Sequence, residues 1–407
     1  MTDAVETWWN RIAAGFTQSP VPHVTGAELA LVILLAVALS LPRATWRYFG
    51  LLATVTHELG HAFAAALYEQ LQVQGLATAD SRLTAFASPR RLAAHVTAVA
   101  AQAADKAVSQ KLMPVSVALD AGGNPTPALL KKLQALGADA DAVPGLHRAL
   151  DGKAEALFYR STAKGATLAE GLQKALNEAI ARLPIPKVMT YQLADGWSDV
   201  KFVRPAHSLL ALHGSDVVPV AVLGLKAGNT TRGHRFEAKL DPVRIADADS
   251  YAATLERDGA VIASYEERAT AIVRSLREAA DKLGCRLEVE PPNLIGKEPE
   301  AVLLEDALVQ EVTGLVERPN VLVCQSEKQF LEVPQECLIL TMKANQKYFP
   351  LLDAKGKLTN RFLVVSNIRP EDPSAVIGGN ERVVRPRLAD AKFFFDQDRK
   401  KTLGSRV

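Results

Sequence analysis

Residues Thr56–Leu71 read THELGHAFAAALYEQL. The first half sets His57, Glu58 and His61 in the spacing H-E-x-x-H; the second half is an alanine-rich amphipathic stretch. On a helix, that spacing puts two imidazoles on one face, able to share a zinc ion. The glutamate between them is then placed to deprotonate a metal-bound water. Residues 54–67 lack proline and are rich in Ala and Leu, so a helix is expected there, slightly weakened at Gly60. The plainer alternative is two histidines on a helix beside a carboxylate, with no metal. A working site needs a third ligand, for which Asp120 in PVSVALDAGG is the candidate. Its position after an apolar run and before a glycine pair reads better as a strand end entering a turn.

What precedes the motif bears on the choice. Residues 29–41, LALVILLAVALSL, are apolar apart from Ser40 and are followed by Pro42, Arg43 and Arg47. The run is shorter than the ~20 residues a spanning helix needs. Length alone suits a buried core helix as well as a membrane contact, and the arginines beyond the run favour the membrane. It does not read as a cleavable signal, because the basic residues follow the run. The remaining composition is that of a soluble globular chain. Of 407 residues, 23% are charged and 48% hydrophobic, enough for two or three cored domains. A formal net charge of +2 means that any affinity for a polyanion must come from local basic patches. Cys285, Cys324 and Cys337 are odd in number and lack C-x-x-C spacing, so they are read as core residues in a reducing compartment.

After His61 no apolar run approaches spanning length, and the pattern is that of an α+β, multidomain chain with mixed helices and antiparallel sheets. Residues 125–182 read largely as helices, as in TPALLKKLQALGA. Residues 200–225 read as strand and turn, and 250–283 as one long charged helix weakened at Gly259. The paired prolines of EPPNLIGKEP mark a boundary. Beyond it short strands are expected in NVLVCQ, ECLILTMK, YFPLLD and RFLVVSN, with LLDAKGKLTNRFLVV as a hairpin. The expected units are 1–61, an apolar helical segment with the H-E-x-x-H motif; 62–245, an α+β body; 246–290, a helical connector; and 291–407, a β-rich α+β unit. His207 and His213 flank LLAL without a metal-ligand spacing and read as strand-end or packing residues.

Four segments carry a resemblance: FASPRRLA (86–93), FVRPAHSLLALHG (202–214), GNTTRGHRF (228–236) and TMKANQKYFPLLDAKGKLTNRFLVVSN (341–367). With EVTGLVERPNVLV and GNERVVRPRLADAKFFFDQDRKK they resemble, from about residue 62 onward, the beta subunit of bacterial glycyl-tRNA synthetase. Residues 1–61 do not resemble that family's opening. LLATVTHELGHAFAA is instead similar to membrane zinc metallopeptidases of the site-2-protease type, and the two resemblances meet in HAFAAAL. A fusion or chimera is the expectation, with the family's later helical region and anticodon-binding domain absent.

The two resemblances imply different chemistry. In the peptidase reading Glu58 is the base, His57 and His61 are zinc ligands, and residues 29–41 contact a membrane. Nothing after residue 61 supplies the further spanning helices such a site needs, so this is the alternative, beside a chimera in which neither half functions. The synthetase resemblance implies a cytoplasmic, heterotetrameric complex in which an alpha subunit uses ATP, Mg and glycine. This chain then carries no cofactor of its own and holds tRNA(Gly). Its basic clusters fit that role: Arg90 and Arg91 after a proline; Arg232, His234 and Arg235 in a Gly/Thr turn; Lys343 and Lys347 beside Tyr348 and Phe349; and Arg382, Arg385 and Arg387 in a loop punctuated by Pro386. Arginine offers paired donors to phosphate and neighbouring aromatics can stack on unpaired bases.

Overall fold

The computed structural model describes residues 51–120, 122–151, 154–185, 187–288 and 299–400. The apolar run 29–41 and the boundary placed in EPPNLIGKEP lie outside them. The first described helix, α1, spans Leu51–Val73 without a break. From Leu59 its buried positions are Leu59, Gly60, Phe63, Ala64, Leu67 and Leu71, a stripe at helical spacing. Phe63, Leu67 and Leu71 share a core with Leu168, Ala175, Leu176 and Ala179 of a second helix, Leu168–Ala181. Each leucine so buried contributes about 1.5–3 kcal/mol. Strands β1 (Leu83–Ser88) and β2 (Arg91–Val96) lie across α1 as an antiparallel hairpin turning at Pro89–Arg90. A Cβ on Gly60 would stand 2.5 Å from the Ala87 Cβ, so this glycine is the point where helix and strand touch.

An insert follows: β3 (Lys106–Pro114), α2 (Pro127–Ala135), β4 (His147–Asp151) and β5 (Ala154–Ala163), with the sheet ordered β3-β5-β4. It has its own core of Leu112, Ala118, Leu129, Leu133 and Leu157. The expectation that 125–182 is largely helical therefore fails at 147–163, where alternating apolar and polar residues in HRALD and AEALFYRSTA pair as strands. The Leu168–Ala181 helix is α3; its Thr167 and Glu170 form a reciprocal cap.

Residues 189–244 form short strands of two to four residues, including one parallel pairing of Leu225–Gly228 with Leu209–Leu210. The helix expected over 250–283 is two helices. Tyr251–Arg257 ends before Gly259, and α4 (Tyr265–Lys282) begins at Ser264, whose hydroxyl accepts from the Glu267 amide. The break is made by tertiary contact: the His234 amide donates to the Gly259 carbonyl at 2.6 Å, and the Ile262 amide to the Glu317 carbonyl at 3.0 Å.

The last unit is a sheet between helices. Strands β6 (Arg286–Leu287), β7 (Asn320–Gln325), β8 (Phe349–Leu352) and β9 (Leu358–Ser366) are ordered β6-β8-β9-β7, all antiparallel. One face, with Leu287, Phe349, Leu351 and Leu363, packs on α4 and on α5 (Ala307–Thr313). The other, with Cys324, Phe362 and Val364, packs on α6 (Gln335–Gln346) and α7 (Ser374–Asp398). The β8–β9 hairpin is as expected, its turn closed by the Asp353 amide on the Lys357 carbonyl, with Gly356 at φ +77°. ECLILTMK, expected as a strand, is α6, because Leu338 and Met342 recur at a helical turn and meet the sheet. Cys337, on the same helix, is exposed rather than in the core. The loop expected around Arg382, Arg385 and Arg387 is the interior of α7, which continues through Pro386.

Candidate functional site

The fold gathers one of the basic groups and disperses the others. Arg90 sits exposed at the β1–β2 turn. Its neighbour Arg91 points inward, 12% exposed, where one guanidinium nitrogen pairs with the Glu317 carboxylate. The other donates to the carbonyls of Arg232 and Gly233, the latter at 3.3 Å. One buried guanidinium thus ties the turn carrying Arg90 to the turn carrying Arg232 and Arg235. Glu317, 3% exposed, also accepts from the Ser88 hydroxyl at 2.6 Å. A charge in such surroundings persists only when paired and hydrogen-bonded, as both members are here.

A second buried cation supports the first. Arg268 is wholly buried and donates to the carbonyls of Ala87, Ile262, Ala263, Ser264 and Thr313, so it fastens β1 to the start of α4 and the end of α5. Burial lowers its pKa to about 10, still well above neutrality, with Glu317 opposing the shift.

On this frame the 228–236 turn displays its side chains unequally. Arg232 and Arg235 are exposed, Phe236 is 74% exposed, and the Arg235 guanidinium lies 5.7 Å from the centroid of its ring. His234, expected beside them as an RNA contact, is buried, and its Nδ1 accepts from the amides of Phe236 and Glu237 at 3.3 and 3.2 Å. It shapes the turn from within. Among the described residues no carboxylate pairs with the side chains of Arg90, Arg232 or Arg235. Here exposed arginines can contact a phosphate and an open ring can meet a base.

The other predicted residues lie elsewhere. Lys343 pairs with Glu288 at 2.7 Å and Lys347 with Glu311 at 2.9 Å. Arg382, Arg385 and Arg387 are exposed on α7, with Arg385 paired to Glu327. Sequence reasoning missed Glu317, Arg268, Ser88 and Phe236. Glu317 and Arg268 stand among charged neighbours and read as surface residues; only FASPRRLA beside GNTTRGHRF in the resemblance could have pointed to the pair. A cleft of about 420 Å³ beside the turn is lined by Glu237, Glu256, Lys239, Arg257 and Arg318. Its charges are largely matched, as in Glu237 with Arg318 at 3.5 Å.

Glu58 and His61 are exposed on α1, opposite the buried Leu59 and Phe63 stripe, and the side chain of His57 lies outside the described residues. Among the described residues no group of three or more His, Cys, Asp or Glu side chains is placed to hold a metal ion. The Asp120 carboxylate accepts from the amides of Gly122 and Asn124 at 2.9 and 2.8 Å, a turn rather than a ligand, and the Asn124 bonds lower its pKa. His213 Nε2 meets the Val99 carbonyl at 2.8 Å, while His207 is exposed. No helix among the described residues is long and apolar enough to cross a membrane.

Comparison with known proteins identifies the family of the sequence. The glycyl-tRNA synthetase beta subunit family matches residues 51–407. The glycine–tRNA ligase beta subunit of Paracidovorax citrulli (strain AAC00-1) is 69% identical over 356 residues, covering 86% of this chain and 48% of its own length. That of Acidovorax ebreus (strain TPSY) is 71% identical over 351 residues, covering 86% and 47%. The chain thus spans about half the length of the curated relatives it matches. The match begins at Leu51 and takes in His57, Glu58 and His61, so the motif lies inside the family region and not in a peptidase segment joined ahead of residue 62. The chain belongs to the glycyl-tRNA synthetase beta subunit family.

Proposed function

We propose that the chain is a tRNA-binding portion of a glycine–tRNA ligase beta subunit in the cytoplasm, acting with an alpha subunit that supplies the ATP, Mg and glycine sites. The relatives' names support the ligase assignment. The observation that carries the binding role is the exposed set of Arg90, Arg232, Arg235 and Phe236, mounted on the buried Arg91–Glu317 pair. Its arginines meet phosphates, and Arg91 and His234 hold the turn without touching RNA. The exposed Arg382 and Arg387 of α7 provide a second contact, whereas Arg385 is paired with Glu327. Lys343 and Lys347 would first have to leave their carboxylate partners, so they contribute less.

Titration of labelled tRNA(Gly) at several salt concentrations tests the reading. Each phosphate neutralised contributes a slope of about 0.7 to 0.9 in log K against log salt. Replacing Arg232 and Arg235 together by Ala is expected to lower the slope by about one to two units, with discrimination among tRNAs nearly unchanged, because phosphate contacts position more than they specify. A slope indifferent to both replacements would refute the assignment of this turn.

A further inference from the structure

Phe236 stands open to water on a backbone that is firmly held. Its amide and that of Glu237 both donate to the buried His234 ring, at 3.3 and 3.2 Å. The residues that follow are tied as well: the Ala238 amide donates to the His234 carbonyl at 3.1 Å, and the Lys239 amide to the Asp258 carbonyl at 2.9 Å. On this fixed turn the Phe236 ring is 74% exposed, although burial is the ordinary fate of a phenylalanine. The Arg235 guanidinium lies over the ring and still leaves most of it open.

Glu237 settles the charge beside the ring. Its carboxylate accepts from the Arg369 amide and pairs with Arg318 at 3.5 Å, so the acid next to Phe236 is already occupied. The bond to the Arg369 amide also brings the segment after β9, distant in sequence, against the turn. The Arg369 side chain is exposed, and among the described residues no carboxylate pairs with it. Beside the ring are therefore Arg235, from its own turn, and the segment that carries Arg369.

An open ring among arginines distinguishes one form of RNA from another. In a duplex the bases stack on one another, and a side chain meets chiefly phosphates and 2′-hydroxyls; an unpaired nucleotide offers a phosphate and a free π-face together. Acidic side chains of a protein would satisfy the arginines and leave the ring unused. Resting on the tRNA-binding reading of this turn, we propose that it takes an unpaired nucleotide of the bound RNA, with the base stacked on Phe236 and the flanking phosphates met by Arg235 and Arg369.

The test uses the full chain with two labelled probes, an oligouridylate of about eight nucleotides and a blunt RNA duplex of about 16 base pairs. Phe236→Leu keeps apolar bulk and removes the ring. It is expected to weaken oligouridylate binding roughly ten-fold with the salt slope unchanged, because stacking releases no counterions, and to leave duplex affinity within about two-fold. Phe236→Trp, which restores a ring, should bind oligouridylate at least as well as wild type. Arg369→Ala should lower the oligouridylate salt slope by about 0.7. Equal weakening of both probes by Phe236→Leu overturns the proposal, as does absence of oligouridylate binding by the wild type. Displacement of oligouridylate by polyglutamate of equal charge, with equal effect on wild type and Phe236→Leu, overturns it in favour of an acidic protein. If Phe236→Leu changes nothing while Arg232→Ala with Arg235→Ala still lowers the slope, the turn binds phosphates alone and only the stacking role fails. If the arginine pair is also without effect, the reading of the turn fails with it.

Discussion

Glu317 carries more of this molecule than its place in the sequence suggests. Removing one member of a buried ion pair leaves the other charge uncompensated, at a cost of about 3–5 kcal/mol. Glu317→Ala strands Arg91, releases the Ser88 hydroxyl and loosens the hold on the Arg232 and Gly233 carbonyls. Urea unfolding is expected to show that loss, and Glu317→Gln, which keeps an acceptor, a smaller one. A pair that contributed nothing would leave the midpoint unmoved. Gly60 supplies a second test at this scale. Gly60→Ala brings a methyl to 2.5 Å from the Ala87 Cβ and should destabilise by about 1–3 kcal/mol despite alanine's better helix propensity. Adding Ala87→Gly should recover much of that loss, whereas Glu58→Gln, at an exposed position, should change stability by under about 0.5 kcal/mol. The glycine inside the H-E-x-x-H pattern is thus explained by its packing against Ala87.

Elements were legible where one local signal decided them. Residues 54–67 announced a helix through composition, and LLDAKGKLTNRFLVV announced a hairpin through its glycine turn; both form. Elements fixed by distant contacts were not legible. ECLILTMK is dense in apolar residues, and only the sheet that Leu338 and Met342 meet selects the helix. The break at Gly259–Ser264 depends on the His234 amide and the Glu317 carbonyl, neither near in sequence. The same reason governs the site: the arginines could be read from GNTTRGHRF, but the burial of His234 and Arg91 could not. A capped element invites a quantitative test. The Thr167 hydroxyl accepts from the Glu170 amide at 3.3 Å, and the Glu170 carboxylate accepts from the Thr167 amide at 3.0 Å. Thr167→Ala should cost α3 about 1 kcal/mol. The bonds from Thr167 also depress the Glu170 pKa below 4.5. A depressed carboxylate stabilises above its unfolded pKa and loses that contribution as pH falls through the folded value, so the Thr167→Ala penalty should be larger at neutral pH than in acid. Thermal melts of both proteins across that range measure the difference, and a penalty constant with pH would remove the carboxylate from the cap's energetics.

At the scale of the whole molecule, the insert is attached by two adjoining segments. Gln102 bridges Thr167, the Ala103 amide donates to the Ala166 carbonyl at 2.9 Å, and the Leu168 amide to the Ala101 carbonyl at 2.9 Å. A Cβ on Gly165 would fall 1.9 Å from the Ala103 oxygen, so the two segments run close enough to require glycine there. Because the ends of the insert meet and its core of Leu112, Leu129, Leu133 and Leu157 is its own, the rest of the fold does not depend on it for burial. Removing residues 106–163 and joining Asp105 to Lys164 should leave a chain that still unfolds cooperatively. Its urea m-value should fall by about one seventh, the share of the chain removed, since m follows the surface exposed on unfolding. The Arg91–Glu317 pair remains in the shortened chain, so the salt slope for tRNA should still respond to Arg232→Ala with Arg235→Ala. Loss of the cooperative transition would show that the insert and the α1–α3 core fold as one unit, against the separation of their apolar clusters.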